Sequence, residues 1–253
     1  MTSRERIKTA LDFREPDRPP VDFGGHRSSG IMAMAYAKLR RHLGLPEKPV
    51  KVYDMIQQLA VVDEDVLDLF GVDTIELGRG FCLEEKDWKP WTLPDGTGCL
   101  IPSYINLERE GEDWFILNPS GRRGGVQRKG MLYFDQIHWP YLEGIPDDLS
   151  GLPVAVSDIV WSVPTPPNLA LTDTAALERG ARRLRESTDR AVIFLFGGNL
   201  LEMGQFLCRI DNFLMYMAAE PEKTSRLLDA LVTLHLANLE KLLPVVGPYA
   251  DII

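Results

Sequence analysis

The sequence has few cysteines, and the three that it contains lie far apart. Cys82, Cys99 and Cys208 form no Cys-x-x-Cys pair. An odd number of widely spaced cysteines predicts neither a disulfide framework nor a zinc knuckle. Free thiols are typical of a reducing compartment, and we therefore expect a cytoplasmic protein.

Long apolar runs and an excess of positive charge are also missing. No apolar stretch approaches the roughly 18 residues that a membrane span needs. The first residues have the pattern of an amphipathic helix rather than of a secretion signal. The chain has 28 Lys and Arg against 37 Asp and Glu, a formal net charge of −9. Because phosphate binding needs clustered cations, we expect no nucleic-acid partner. Because no apolar stretch is long enough to span a bilayer, we expect no membrane partner.

Several well-known catalytic motifs are absent. The sequence contains no Walker loop, no His-Glu-x-x-His and no Gly-x-Ser-x-Gly. The segment 78–80 has two glycines but lacks the third glycine and the following helix of a dinucleotide-binding fingerprint. The isolated His42, His138 and His235 are predicted to be core or surface histidines.

Helical segments alternate with short apolar strands over much of the chain. Predicted helices cover residues 2–13, 31–43, 63–70, 175–187, 200–219 and 222–243. Predicted strands cover residues 20–23, 72–77, 191–196 and 250–253. This alternation is typical of a parallel α/β fold. The 253 residues would suffice for a complete (β/α)8 TIM barrel of about 250 residues, yet only about four of its strands are found. We therefore expect an N-terminal fragment of one barrel domain over residues 1–253, truncated after about the fourth strand.

A β-rich insertion is predicted between residues 84 and 144, after the second strand. Turn pairs and aromatic residues replace the helical pattern there. Arg122, Arg123, Arg128 and Lys129 make the insertion locally basic. Two interpretations stay open, namely solvated charges on the hairpins and a lid that faces an anionic substrate.

Polar residues follow three of the predicted strands, where the catalytic groups of a parallel barrel lie. The candidate site residues are Asp22, Gly24, Gly25, His26, Arg27, Glu76, Arg79, Asn199 and Glu202. The glycines let the backbone take unusual dihedral angles or let a ligand approach closely. The alternative is that the glycines merely turn the chain and that the charges form salt bridges at the rim.

Each candidate side chain suits a particular task. Arg27 and Arg79 can bind a carboxylate or a phosphate with two hydrogen bonds, and Asn199 can hold a carbonyl or an amide. His26 and Glu202 can exchange protons near neutral pH once they are desolvated. The carboxylates of Asp22 and Glu76 are expected to point into or over the barrel, where each needs a partner.

Several segments resemble the uroporphyrinogen decarboxylase family. The resemblance covers most of the chain outside the insertion. It rests on SRER, EPDRPPV, LFGVD, NFLM and YADII at residues 3–6, 15–21, 69–73, 212–215 and 249–253. It implies a distorted (β/α)8 barrel of the same type, with the active site in the C-terminal mouth. It also implies that the sequence ends just before the family's Gly-Asp-Asp stretch.

The departures from the family pattern bear on the reaction. True decarboxylases carry Arg-Gln-Ala-Gly-Arg after the first strand, with two arginines for substrate carboxylates, whereas Arg27 is the one arginine here. Losing one such buried contact would cost about 2–5 kcal/mol. The acid that follows the second strand in the decarboxylases has no clear counterpart after Glu76. The chain looks more like the methyltransferase-like members, which move a methyl group between a small substrate, a corrinoid protein and a thiol.

The leading hypothesis is therefore a corrinoid-linked methyltransferase of this family that acts on a small methylated substrate. His26, Glu76 and Glu202 would be its catalytic residues. Several family members hold zinc by His-x-Cys and a distant Cys in the later half of the barrel, so no metal ligand is expected here. The first alternative is uroporphyrinogen decarboxylation in porphyrin biosynthesis, a lyase reaction without a cofactor. The second is a non-catalytic barrel that binds a small ligand or a corrinoid partner.

Overall fold

The computed structural model describes residues 1–80, 85–159 and 174–253. The helices are α1 (Ser3–Leu11), α2 (Ala33–His42), α3 (Glu64–Leu69), α4 (Leu152–Ser157), α5 (Thr174–Ser187), α6 (Leu201–Cys208), α7 (Ile210–Ala219) and α8 (Pro221–Val246). The strands are β1 (Val50–Asp54), β2 (Leu59–Ala60), β3 (Thr74–Glu76), β4 (Trp88–Thr92), β5 (Gly98–Pro102), β6 (Asn106–Glu110), β7 (Asp113–Leu117), β8 (Arg123–Gln127), β9 (Asp135–Gln136) and β10 (Ala191–Ile193). The fold is mixed α/β, and the described strands form no closed barrel.

The chain divides into two compact units. The first contains Met1–Tyr104, Leu242–Ile253 and the described residues of Pro164–Leu195. The second contains Phe196–Lys241 and the described residues of Ile105–Val163. The prediction of one barrel domain over residues 1–253 stays a prediction.

A parallel pair of strands forms the centre of the first unit. β10 runs parallel to β3, with Ala191 opposite Thr74 and Ile193 opposite Glu76. The residues of β3 are buried, and helix α1 packs against both strands. These two strands lie within the predicted segments 72–77 and 191–196. The sequence prediction was longer because the short 3-10 turn Leu77–Gly80 replaces the end of the first segment.

The prediction of a strand at residues 20–23 is wrong. The segment lies alongside the start of β3, as a strand would, but it forms no strand ladder. Asp73 donates its backbone N–H to the Val21 carbonyl at 2.8 Å. The N–H of Val21 instead bonds the Asp73 carboxylate at 2.9 Å, and Pro19 and Pro20 have no N–H to offer. A side chain therefore takes the place of a strand partner, and the ladder does not continue.

The predicted strand at residues 250–253 is reduced to a single bridge for a similar reason. Ile252 forms an isolated parallel bridge with Ile193, and the Phe194 N–H bonds the Ile252 carbonyl at 2.8 Å. The Asp251 carboxylate, however, accepts the Val192 N–H at 3.0 Å. Four segments therefore lie side by side in the order of the chain: residues 20–23 (the Val21 segment), β3, β10 and Ile252.

A second sheet of the first unit has the order β2-β1-β5-β4. The β1–β2 hairpin was not predicted from the sequence, and β1 also pairs in parallel with β5. Helix α2 lies against this hairpin, and the buried Tyr36 hydroxyl donates to the Asp63 carboxylate at 2.7 Å. Asp63 precedes α3 but makes no side-chain capping bond, because Tyr36 and Arg40 occupy its carboxylate.

The second unit combines the sheet β6-β7-β8-β9 with helices α4, α6, α7 and the first part of α8. Its core is a cluster of buried side chains from the helices: Leu152, Met203, Leu207, Cys208, Phe213, Tyr216, Leu227 and Leu231. Apolar residues at helical spacing supply these contacts. In the described part of the chain, no helix combines the length and the apolar character needed to cross a bilayer.

The region 84–144 contains the antiparallel pairs that the sequence predicted. β4 pairs with β5, β6 with β7, and β7 with β8, all antiparallel. Acidic neighbours pair three of the four basic residues: Arg123 contacts Glu108 and Glu110, Arg128 contacts Asp135, and Lys129 contacts Glu112. Arg122 lies beside His138, with Nη1 3.2 Å from Nε2. This pairing favours solvated hairpin charges over a lid that faces an anion.

Candidate functional site

The loop after the Val21 segment is held close to β3 by its glycines. Gly24 has φ +78°, which favours glycine, and its N–H bonds the Ser29 carbonyl at 3.0 Å. A Cβ on Gly25 would lie 2.4 Å from Thr74 Oγ1 and 2.5 Å from Asp22 Oδ1. Glycine at position 25 therefore allows the loop to pack directly on the first residue of β3.

Asp22 fixes this loop rather than pointing into open space. Its Oδ1 accepts the Gly25 N–H at 3.0 Å and the Thr74 hydroxyl at 2.5 Å. The carboxylate thus finds the partner that the sequence predicted it to need. Its geometry makes Asp22 a residue that positions the loop.

His26 begins the 3-10 turn Arg27–Ser29. Its Nδ1 faces the Ser28 N–H at 3.1 Å, and Ser29 donates its hydroxyl to the His26 carbonyl at 2.9 Å. Because Nδ1 accepts a hydrogen bond, the neutral ring carries its proton on Nε2. His26 therefore has one nitrogen committed to the loop and one N–H for a ligand.

Arg27 pairs with a carboxylate that the sequence reasoning did not select. Its Nη2 lies 3.1 Å from Asp54 Oδ2, with the two side chains 20% and 3% exposed. Asp54 stands at the end of β1, and its Oδ1 accepts the backbone N–H groups of Ile56 and Gln57. The positive charge of Arg27 is therefore balanced inside the first unit.

The turn that follows Asp54 contributes a second residue that was missed. Gln58 is fully buried, and neither heteroatom of its amide has a hydrogen-bond partner among the described residues. Arg27 Nε is also buried without a hydrogen bond among the described residues, whereas Asp54 Oδ2 keeps its ion-pair contact with Arg27 Nη2. A carboxylate at the end of the alternating segment Val50–Asp54 was the signal that could have marked this turn.

Glu76 is the last residue of β3, and Arg79 follows three residues later. The structure describes the side chain of Glu76 but not that of Arg79. The Glu76 side chain is buried, and its carboxylate lies over Gly78, where a Cβ would come within 2.6 Å of Oε1. The backbone of Arg79 belongs to the 3-10 turn Leu77–Gly80. Its side chain lies outside the described structure.

Asn199 and Glu202 belong to the second unit and bond each other there. The Asn199 amide donates to the Glu202 carboxylate, which lies exposed in the first turn of α6. In the first unit, the structure brings Asp22, Gly24 and Gly25 together around one loop with His26 and Arg27. It forms a separate pair of Asn199 and Glu202 in the second unit.

His235 of α8 lies beside this pair and is more buried than an ordinary surface histidine. It is 8% exposed, its ring stands edge-on to Phe196 at 6.2 Å, and its Nε2 has no partner among the described residues. Burial lowers the pKa of His235, while a hydrogen bond with the Asn199 backbone opposes that shift. The ring is therefore neutral at pH 7.

The described residues do not fit a zinc ion. They contain no group of three or more His, Cys, Asp or Glu side chains placed to hold a metal. Cys99 and Cys208 are buried, and burial raises the pKa of each thiol to about 12. Cys82 lies outside the described residues.

The chain was compared with models of known protein families, with curated proteins and with solved structures. None of the three comparisons finds a match.

Proposed function

We propose that the chain is an α/β-barrel enzyme of the uroporphyrinogen decarboxylase type and a corrinoid-linked methyltransferase for a small methylated substrate. One observation carries the proposal. The Val21 segment, β3, β10 and Ile252 lie side by side in chain order, and the described contacts between β3, β10 and Ile252 are parallel. This is the order of successive strands in such a barrel, whose substrates bind beyond the carboxyl ends of the strands.

Arg27 binds the anionic group of the substrate in this proposal. Its side chain is one-fifth exposed, and its ion pair with Asp54 uses Nη2. A guanidinium has five N–H donors, so it can add a charge-assisted hydrogen bond to a carboxylate. Asp22, Gly24 and Gly25 hold the loop in the position that presents Arg27.

His26 handles the proton in this proposal. When a methyl group leaves as a cation equivalent, the heteroatom that carried it keeps the bonding electron pair and takes up a proton. The Nε2–H of His26 is the donor available for that task, because Nδ1 is occupied by the Ser28 N–H. Glu76 is the second proton-transfer candidate of the first unit, and the roles predicted for Arg79, Asn199 and Glu202 stay predictions.

The proposal derives no step through zinc, because the described residues do not fit it. The corrinoid belongs to a partner protein, with which the chain would share its substrate. A cytoplasmic location is part of the same proposal and is supported by the buried free thiols of Cys99 and Cys208.

Product analysis separates the three readings of the function. The protein is incubated with methylcobalamin and 2-mercaptoethanol in one reaction and with uroporphyrinogen in another. We expect a methyl thioether in the first and no carbon dioxide in the second. Carbon dioxide without thioether would favour decarboxylation, and neither product from the folded protein would favour a binding-only barrel.

A further inference from the structure

A cleft with a volume of about 610 Å³ opens in the first unit. The last turns of α2 and the loop 45–49 form one side, and the β4–β5 hairpin forms the other. All of its lining residues belong to the segment Met1–Tyr104 of that unit. Sites for small molecules in proteins measure about 300–1,000 Å³. This cleft, which we call the α2 cleft, therefore has room for a small molecule.

The α2 cleft is separate from the Arg27 loop. It is lined by Val50, the first residue of β1, whereas Arg27 contacts Asp54, the last residue of the same strand. Because a strand rises about 3.3 Å per residue, the two places lie roughly 13 Å apart. A ligand in the α2 cleft would therefore not occupy the site proposed for methyl transfer.

The loop on one side of the cleft is held in place by hydrogen bonds and ion pairs. Arg40 donates Nη2 to the Pro46 carbonyl at 3.0 Å and Nη1 to the Asp65 carboxylate at 2.8 Å. The Lys48 ammonium lies 3.0 Å from the Asp63 carboxylate. Since this wall is ordered before a ligand arrives, binding costs little conformational entropy.

The surface of the cleft is mostly apolar. Trp91 and Leu100 of the β4–β5 hairpin line it, and Leu45 lines it from the loop. Cys99 also belongs to the lining, and burial raises the pKa of its thiol to about 12. The thiol is therefore neutral and acts as a small apolar side chain. Such a surface suits a ring or another apolar group of a ligand.

The charged residues of the lining differ in what they contact. Arg40 and Lys48 are bound to acidic side chains of the α3 region, as described above. Arg41 is exposed, and its side chain makes no ion pair or hydrogen bond in the described part of the chain. Three cations, counted with Arg41, and one acid, Glu47, line the cleft. Because a guanidinium binds a carboxylate with two parallel hydrogen bonds, Arg41 favours an anionic ligand group.

We propose that the α2 cleft binds a small aromatic carboxylate. The ring of the ligand lies against Trp91 and Leu100, and Arg41 donates to its carboxylate. An aromatic ring suits this place because rings pack favourably edge-to-face or offset on an indole. This binding site goes beyond the proposed methyl transfer and does not depend on it.

The test is isothermal titration of the protein with 2-naphthylacetate, 2-naphthylacetamide and acetate. The aromatic acid should bind. The amide should bind about tenfold more weakly because it loses the charge-assisted hydrogen bonds, and acetate should bind more weakly still because it buries no ring. Equal affinities for the acid and the amide would overturn the proposal, as would the absence of binding by the acid. Tighter binding of 2-naphthylmethylammonium would assign the cleft to cations and would also overturn it.

Lys38 supplies a matched control for Arg41. Both side chains are exposed on α2, but Lys38 does not line the cleft. Arg41→Gln should weaken the binding of 2-naphthylacetate about tenfold and leave that of the amide unchanged. Lys38→Gln should change neither. Wild-type affinity for the acid in Arg41→Gln, or an equal loss in Lys38→Gln, would overturn the proposal.

Trp91→Leu tests the aromatic wall of the cleft. It should weaken the acid and the amide to the same extent, because both ligands lose their contact with the indole ring. Wild-type affinities in the folded variant would overturn the proposal. Because Arg41 is exposed, its variant keeps the proposal testable if Trp91→Leu does not fold.

Discussion

The Nη2 of Arg27 lies 3.1 Å from Oδ2 of Asp54, and this contact ties the loop after the Val21 segment to the end of β1. The Asp54 side chain is almost fully buried, while Arg27 keeps one-fifth of its side chain exposed. The pair therefore combines a structural role with a group that a ligand can reach.

A double-mutant cycle measures the structural part of this role. Arg27→Met leaves the Asp54 carboxylate buried and unpaired, which should lower the free energy of unfolding by about 3–5 kcal/mol. The double variant Arg27→Met with Asp54→Asn should recover about 1–3 kcal/mol relative to the sum of the single changes. Urea denaturation provides the values. Strict additivity would show that the two side chains do not interact in solution.

Replacing Asp73 should lower the free energy of unfolding more than replacing Asp68, although both aspartates pair with arginine. Its fully buried carboxylate contacts Arg6 Nη1 at 2.6 Å and Arg18 Nη1 at 2.7 Å. Asp73→Asn should therefore cost about 3–5 kcal/mol of unfolding free energy. The control Asp68→Asn breaks an ion pair with Arg190 whose Asp68 side chain is 72% exposed. It should cost about 1 kcal/mol or less, and equal losses would contradict the burial argument.

His235 should make stability depend on pH. Burial lowers its pKa below the ordinary value of 6.5, so the unfolded chain takes up a proton before the folded one does. The free energy of unfolding should be unaffected above that value and should fall as the pH drops below it. Urea denaturation at pH 7.5 and 5.5 should show a smaller drop for His235→Leu than for the wild type.

The half-buried His138 completes this test. Burial and Arg122 also lower the pKa of His138, so part of the drop should remain in His235→Leu. An unchanged pH dependence in His235→Leu would show that His235 is not the group that titrates.

Gly25 should tolerate no side chain. An alanine Cβ there would approach Thr74 Oγ1 to 2.4 Å, and the resulting displacement should cost about 1–3 kcal/mol. Gly98→Ala is the control, because no atom lies within 4 Å of its Cβ position. Circular dichroism melting should separate the two variants. A Gly25→Ala variant as stable as Gly98→Ala would show that the loop does not pack on β3 as described.

Most helices and the two buried parallel strands could be predicted from the sequence, because apolar spacing and terminal glycines specify them locally. Helix α4 was not predicted, and the predicted helix 200–219 is divided at Arg209, whose φ is +71°, into α6 and α7. The ladder ends could not be predicted, since the side chains of Asp73 and Asp251 take backbone N–H groups that a strand would use. Hydrophobic periodicity does not show that a side chain will take the place of a strand partner.

Only part of the candidate site could be predicted from the sequence. Gly24, Gly25 and Arg27 follow a recognisable apolar segment and were selected on that ground. Asp54 and Gln58 lie in a hairpin whose polar residues are buried, so its pattern does not resemble an ordinary strand pair. Their connection to Arg27 depends on contacts between distant parts of the chain, which a single sequence does not display.

The proposed reaction is tested most directly by the product that forms from methylcobalamin and 2-mercaptoethanol in the presence of the protein. If the protein transfers methyl groups, a methyl thioether should form at a rate proportional to the protein concentration, and heat-denatured protein should form none. Folded protein that forms no thioether would contradict the proposed activity.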